Sequence, residues 1–250
     1  MAQSFELSQF VRHTAHGADV VIITGDFNME PEDLGLRLII SQVHLVDAWR
    51  LAHPVSPQRL CNTYSSPCRG VENGSTCDRP DNCYSSRKFR QKDDSKRLDY
   101  ILFKNGRMSL CLEMCDVVMN KILDEELNYS DHVGVLAHFI VNNKDRQPSC
   151  EWEPNRPLLV EAIAIVSAGQ RRARSDRTWF MCGSALLFVT VIASLFLDDF
   201  APFLSVILSV MRVILTLMIA FCVWYGLIGL TLERKALEAA KQAMQQLLND

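Results

Sequence analysis

Apolar and polar positions follow different rhythms along this chain, and each rhythm predicts a kind of element. In residues 4–16, Phe5, Leu7, Phe10 and Val11 form a partial helical stripe that Gly17 stops. Val20–Thr24 is a short apolar run and reads as a buried strand. Glu30-Pro31-Glu32-Asp33 looks like the first turn of a helix, with Pro and acids where the helix dipole favours them. That helix would turn Leu34, Leu38 and Ile39 inward and end near Leu45-Val46-Asp47-Ala48-Trp49. Residues 98–104, 111–119 and 132–141 predict three more strands. Leu158–Ala168 returns to a helical rhythm, ahead of Arg171, Arg172, Arg174 and Arg177.

After these arginines the alternation disappears. Thr178–Leu197 is twenty residues without a charge. At about 1.5 Å of rise per residue it spans a hydrocarbon core about 30 Å thick. Asp198-Asp199 breaks the run, and apolar sequence then continues to Leu232, interrupted only by Arg212. A second span fits as Phe203–Tyr225 or as Val213–Leu232. A central Arg is costly in lipid, so Arg212 is expected near an interface or against the partner helix. The tail carries Leu237, Ala240, Met244, Leu247 and Leu248 on one stripe and predicts a short amphipathic helix, on the membrane surface or paired with a neighbour.

Four regions follow. Residues 1–141 form a soluble α/β part, and 142–177 a linker with a basic juxtamembrane helix. Residues 178–232 hold two transmembrane helices (about 178–197 and 203–232), and 233–250 an amphipathic tail. Arginines before the first span, Arg234 and Lys235 after the second, and two acids between them put both ends in the cytosol by the positive-inside rule. The expected setting is a multi-pass protein of the endoplasmic reticulum or another internal membrane, with its chemistry on the cytosolic side. Nine cysteines without a secreted pattern agree, as reduced thiols are the rule there. Two glycan acceptor patterns, at Asn73 and Asn128, are then expected to go unused. A net charge of −3 gives no global field for nucleic acid.

Residues 53–97 interrupt the soluble part with four Pro and four Cys (Cys61, Cys68, Cys77, Cys83). The spacing matches no common zinc pattern, so free thiols in a long loop are expected. Arg87, Lys88, Arg90, Lys92, Lys96 and Arg97 make a basic cluster diluted by Asp93 and Asp94. It reads as a solvated loop first and as a contact for anionic head groups second.

Three polar motifs ride on the predicted strands: Gly25-Asp26-Phe27-Asn28, Arg97-Leu98-Asp99-Tyr100 and Ser130-Asp131-His132. Hydrolysis of a phosphoester by water needs a base, a cation on the phosphoryl oxygens, and donors for the developing charge. His132 alone among the histidines sits beside acids in a motif, and its ordinary pKa suits base work near neutrality. Asp99 could hold its second ring nitrogen, as the orienting acid does in a triad. Asp131 is a hard oxygen ligand suited to Mg²⁺. Asp26 and Asn28 lie two apart on an extended segment, which turns both to one side; Asp26 would serve water or metal, and Asn28 the phosphate. His13, His16, His44, His53 and His138 lack such settings and read as structural.

These motifs in this order resemble the C-terminal half of the endonuclease/exonuclease/phosphatase fold. With the apolar hairpin behind them, the chain resembles the membrane-bound neutral sphingomyelinases. That resemblance implies Mg²⁺-dependent, phospholipase C-type hydrolysis of sphingomyelin to ceramide and phosphocholine, with His132 as general base and Asp99 its orienting partner. It implies Asp131 in the metal and base region, with Asp26 and Asn28 serving water and phosphate. Choline lysophospholipids stay open as substrates, and no residue is assigned to the lipid itself.

The family's first strand, its Glu metal ligand and its first His-bearing strand are not visible before Val20. The chain is therefore expected to carry the second half of the two-sheet sandwich, to leave that sheet's inner face exposed, and to be nearly inactive alone. Two other readings remain: a non-catalytic truncated membrane isoform, and a nuclease-type phosphodiesterase of the same fold.

Overall fold

The computed structural model describes residues 1–54, 74–86, 94–143, 153–197 and 202–249. Cys61, Cys68, Asn73, the bases Arg87, Lys88, Arg90 and Lys92, and the acids Asp198 and Asp199 lie outside the described residues. The chain divides into two compact units, Gln3–Leu159 and Val160–Asp250, the latter with Met1–Ala2.

The first unit is a layered mix of helix and sheet. Helix α1 (Ala2–Thr14) precedes strand β1 (Val20–Asp26), helix α2 (Leu34–Val43), strand β2 (Val46–Asp47) and helix α3 (Ala48–Ala52). Strands β3 (Asp99–Asn105), β4 (Ser109–Val118) and β5 (Gly134–Asn142) follow. β3 lies between β1 and β2, antiparallel to both, while β4 and β5 form a separate antiparallel pair with an irregularity between Leu112 and Met114.

Alternation along β3 decides what each face touches. Tyr100 and Leu102 turn to one side and pack with Leu36, Ile39 and Val43 of α2 and Val11 of α1. Ile101 and Phe103 turn to the other, toward Leu110 and Cys115 of β4 and Phe139 of β5. The Phe103 and Phe139 rings meet edge-on, 4.8 Å between centroids. Leu36, Leu38, Ile39 and Leu102 are fully buried, each worth about 1.5–3 kcal/mol of transfer free energy.

Three expectations change here. The sheet does not leave its whole inner face bare: the β4–β5 pair covers Phe103, while Ile22, opposite Phe103 in the register, stays 48% exposed on edge strand β1. Helix α2 starts later than Pro31 suggests. Asp33 precedes it, and its carboxylate accepts from the Glu30 amide at 2.7 Å, so the Pro and acids close a turn before the helix. Leu36, unmarked by the sequence pattern, is the most buried Leu of that helix together with Leu38.

The second unit is helical. Helix α4 (Arg156–Leu195) runs unbroken through the expected juxtamembrane helix and the first apolar span. A 3₁₀ turn (Pro202–Leu204) leads to α5 (Ser205–Trp224), a π-helical turn (Tyr225–Gly229) and α6 (Leu230–Asn249). Two helices are thus long and apolar enough to cross a membrane. Their apolar side chains, such as Trp179, Phe188, Val206 and Leu217, face outward. Gly226 fits against Phe180 and Met181, and Tyr225 meets Phe180 edge-on at 5.0 Å, which holds the two spans together. Arg212 lies against the partner helix: its Nε donates to Ser194 Oγ at 2.9 Å, one residue before the end of α4. The tail is not a detached surface helix. α6 continues from the second span and returns along α4, with Leu237 against Gly169 and Ala240 and Met244 buried.

Candidate active site

The antiparallel register of β1 and β3 puts Asp26 directly opposite Asp99 at one end of the sheet. Both share the parity of Ile22 and Phe103, so both lie on the side facing the β4–β5 pair. His132 precedes β5 by two residues and comes to the same end. Its Nδ1 lies 2.8 Å from Asp99 Oδ2. The second ring nitrogen is left for other chemistry. A one-residue slip in the β1–β3 register would send Asp26 to the opposite face.

The remaining candidates stand close by with different partners. Asp131 is exposed and accepts from Ser130 Oγ at 3.0 Å. Asn28 does not continue the strand: its φ is +50°, a left-handed conformation that Asn tolerates. Its backbone N–H donates to Asp26 Oδ1 at 2.8 Å and its amide to Asp26 Oδ2 at 3.3 Å. Asp26 and Asn28 are thus joined by a local turn, where the sequence predicted two side chains projecting from an extended strand.

Electrostatics set the state of His132. Partial burial pulls its pKa down, but the Asp99 hydrogen bond, then the charges of Asp99, Asp26 and Asp131, push it up and prevail. The imidazolium is favoured by folding. Stability from this pair is therefore full below the unfolded value of about 6.5 and fades as pH rises through the raised folded value. Replacing Asp99 with Asn should lower the His132 pKa, which an NMR titration of the imidazole reads without any turnover. An unchanged imidazole pKa would refute the coupling. Cys77 is no competing nucleophile: burial, then the charge of Asp78, raises its thiol pKa and keeps it protonated near neutrality.

No protein-family profile matches the chain. Individual relatives do. Human sphingomyelin phosphodiesterase 2 is 30% identical over 207 residues, 78% of this chain and 45% of that protein. A Caenorhabditis elegans protein with the provisional name neutral sphingomyelinase is 53% identical over 251 residues, all of this chain and 57% of that protein. The chain is a homologue of the neutral sphingomyelinases. It spans about half the length of these relatives.

In this sphingomyelinase homologue, the residues that hold the site together come from the cysteine-containing loop, which sequence reading took for a connection. Thr76 is fully buried, and its Oγ1 accepts from the amides of Leu98 and Asp99 at 3.1 and 3.2 Å. Its carbonyl accepts from the Val133 amide at 2.9 Å. One residue thus fastens the start of β3 to the His132 segment. Asn82 donates to Ser130 O at 2.8 Å, and Asn128 accepts from the Cys83 amide at 2.8 Å while donating to Asn120. Asn128 is 1% exposed, so a glycan on it is incompatible with this packing. Cys77 and Cys83 are free thiols. Arg97 is not a surface base: it is buried, pairs with Asp47 at 2.8 Å and lies 4.7 Å over the Tyr100 ring.

The donors suit a hard cation only in part. Among the described residues no three His, Cys, Asp or Glu side chains converge as metal ligands. Asp131 and Asp26 offer exposed oxygens, the one or two carboxylates with which Mg²⁺ is usually held when water and substrate phosphate complete the shell.

Proposed function

We propose that the protein is a membrane-bound lipid phosphodiesterase that cleaves sphingomyelin to ceramide and phosphocholine. The observation that carries this reading is the Asp99–His132 contact, with Asp26 across the same rung. His132 Nε2 takes a proton from the attacking water, whose oxygen bonds to phosphorus as the bond between phosphorus and the ceramide oxygen breaks, and the ceramide oxygen takes a proton from solvent. Asp99 holds the Nδ1 side so that the ring presents Nε2. Asp26 orients the water, and the second amide N–H of Asn28 meets a phosphate oxygen. Mg²⁺, held by Asp131 and Asp26 with the phosphate itself, would neutralise charge on the phosphoryl group. The site is the second half of an endonuclease/exonuclease/phosphatase sandwich, built on the β1–β3 pair and completed by the His132 segment.

The two apolar helices favour a lipid over a nucleic acid as substrate. Arginines before the first span and bases after the second support a site on the cytosolic face of an internal membrane. The test is release of phosphocholine from sphingomyelin vesicles by the membrane-reconstituted chain in Mg²⁺, with the same preparation assayed in chelator and on single-stranded DNA. Phosphocholine release that chelator abolishes is expected, at the low rate anticipated for a chain that spans about half the length of its relatives. Cleavage of DNA in its place would make the protein a nuclease of this fold. Turnover of neither substrate would favour the non-catalytic reading.

A further inference from the structure

The peptide unit between Leu98 and Asp99 is gripped at both of its polar atoms. Its carbonyl accepts from the Phe27 amide at 2.9 Å, inside the first motif. Its N–H donates to the Thr76 hydroxyl at 3.2 Å, and the Leu98 amide donates to the same oxygen at 3.1 Å. A hydroxyl oxygen has two lone pairs and takes both. Strand β2 pairs with β3 only at Phe103 and Leu102, so the Leu98–Asp99 end of β3 lies beyond its reach. A peptide unit is planar, so holding its oxygen and its N–H fixes the plane from which the Asp99 Cα departs. The carboxylate on that Cα lies 2.8 Å from His132 Nδ1. Thr76 reaches the other member of the pair as well. Its carbonyl accepts at 2.9 Å from the Val133 amide, next in the chain after His132.

We infer that Thr76 is a positioning residue for the reaction: its hydroxyl aims the Asp99 carboxylate at His132, and it acts through Asp99 rather than on the substrate. This rests on the reading of Asp99 and His132 as the orienting acid and the base. The hydroxyl's part is separable from that of the loop around it. The Thr76 amide donates to Lys96 O at 2.8 Å, and Cys77 and Lys96 exchange two backbone bonds at 3.0 Å. These bonds, like the one to Val133, use main-chain atoms and survive a change of side chain. Without the hydroxyl the loop keeps its place, but the Leu98–Asp99 peptide is held at its oxygen alone and can pivot there. Thr76 is fully buried, so water does not readily fill the vacated position.

Two substitutions in the full chain separate aim from packing. Thr76→Val removes the acceptor at nearly constant volume, and Thr76→Ser keeps the acceptor but deletes a buried methyl. With sphingomyelin vesicles, the valine variant should lose about 10–10²-fold in kcat, the cost of misplacing a catalytic group by about 1 Å, while KM stays within about twofold. The serine variant should stay within about threefold of the parent in both constants, on the same scale. A role in packing alone predicts the opposite order. The low-field proton NMR signal of the His132 N–H bonded to Asp99 gives a readout that needs no turnover. It should persist in the serine variant and vanish or move upfield in the valine variant. Where valine prevents folding, Thr76→Cys takes its place, since sulfur is a weak acceptor. A serine variant as slow as the valine one overturns the part given to the hydroxyl. An unchanged low-field signal in the valine variant overturns the link to His132. A parent chain that releases no phosphocholine would overturn the sphingomyelin reading, and the NMR signal would still decide the role of Thr76.

Discussion

Replacing His132 with alanine is expected to lower phosphocholine release from sphingomyelin by about 10²–10⁴-fold, the usual worth of a positioned acid–base group. The chain should remain folded. The ring stands at the end of the sheet, and the segment is held through backbone: the His132 amide donates to Ser130 Oγ, the Val133 amide to Thr76 O, and Ser130 O accepts from Asn82. None of these bonds uses the imidazole. Loss of turnover with thermal unfolding lowered only by the modest worth of the Asp99 contact would separate chemistry from stability. A variant that retains turnover within tenfold of the parent removes His132 as the base. The rate of the parent chain should itself rise with pH through the His132 pKa, because the neutral ring is the base. Since that pKa is raised, the acid limb should lie above the ordinary histidine value of about 6.5.

The second large effect concerns stability. Asp47 and Arg97 are a buried pair, their side chains 5% and 6% exposed. Asp47 also caps α3, accepting from the amides of Trp49 at 3.0 Å and Arg50 at 3.4 Å. Asp47→Ala strands a guanidinium in the interior, which costs about 3–5 kcal/mol, with about 1 kcal/mol more for the lost cap. Against a typical total of about 5–15 kcal/mol this is enough to unfold much of the population near physiological temperature. Denaturant unfolding of the chain in detergent would measure it. Asp47→Leu combined with Arg97→Met should recover part of the loss, since an apolar pair leaves no buried charge. A single variant within about 1 kcal/mol of the parent would show that Arg97 finds water or another partner. Because Arg97 immediately precedes Leu98 and Asp99, the same substitution should also loosen Asp99 and lower activity.

The arginine of the second motif shows how far local reading reaches. From the sequence Arg97 belongs to a basic cluster. In the structure it is an interior group whose counter-ion is fifty residues away. The contacts through Thr76, Asn82 and Asn128 have the same character, joining segments 22 to 48 residues apart. Their residue types, Thr and Asn in a Ser- and Pro-rich stretch, are those of any turn. No periodicity marks them, because hydrogen bonds between distant segments leave no trace in the spacing of apolar residues.

The sequence alone determined four of the five strands, the order of the three motifs and the two membrane-length helices. These depend on local spacing: period two for strands, and unbroken apolar length for spans. It also marked Asp26, Asp99 and His132 as residues to watch. Only the tertiary structure decided that Asp26 and Asp99 share one rung, that His132 reaches Asp99, and that Asn28 turns back on Asp26 in a left-handed conformation. It alone decided that α6 returns along α4 and gathers Arg171, Arg174, Arg234 and Lys241 around a single cavity. Register, sheet-on-sheet packing and helix pairing are set by contacts between distant parts of the chain. Their free energy comes from burial and hydrogen bonds that exist only once those parts have met.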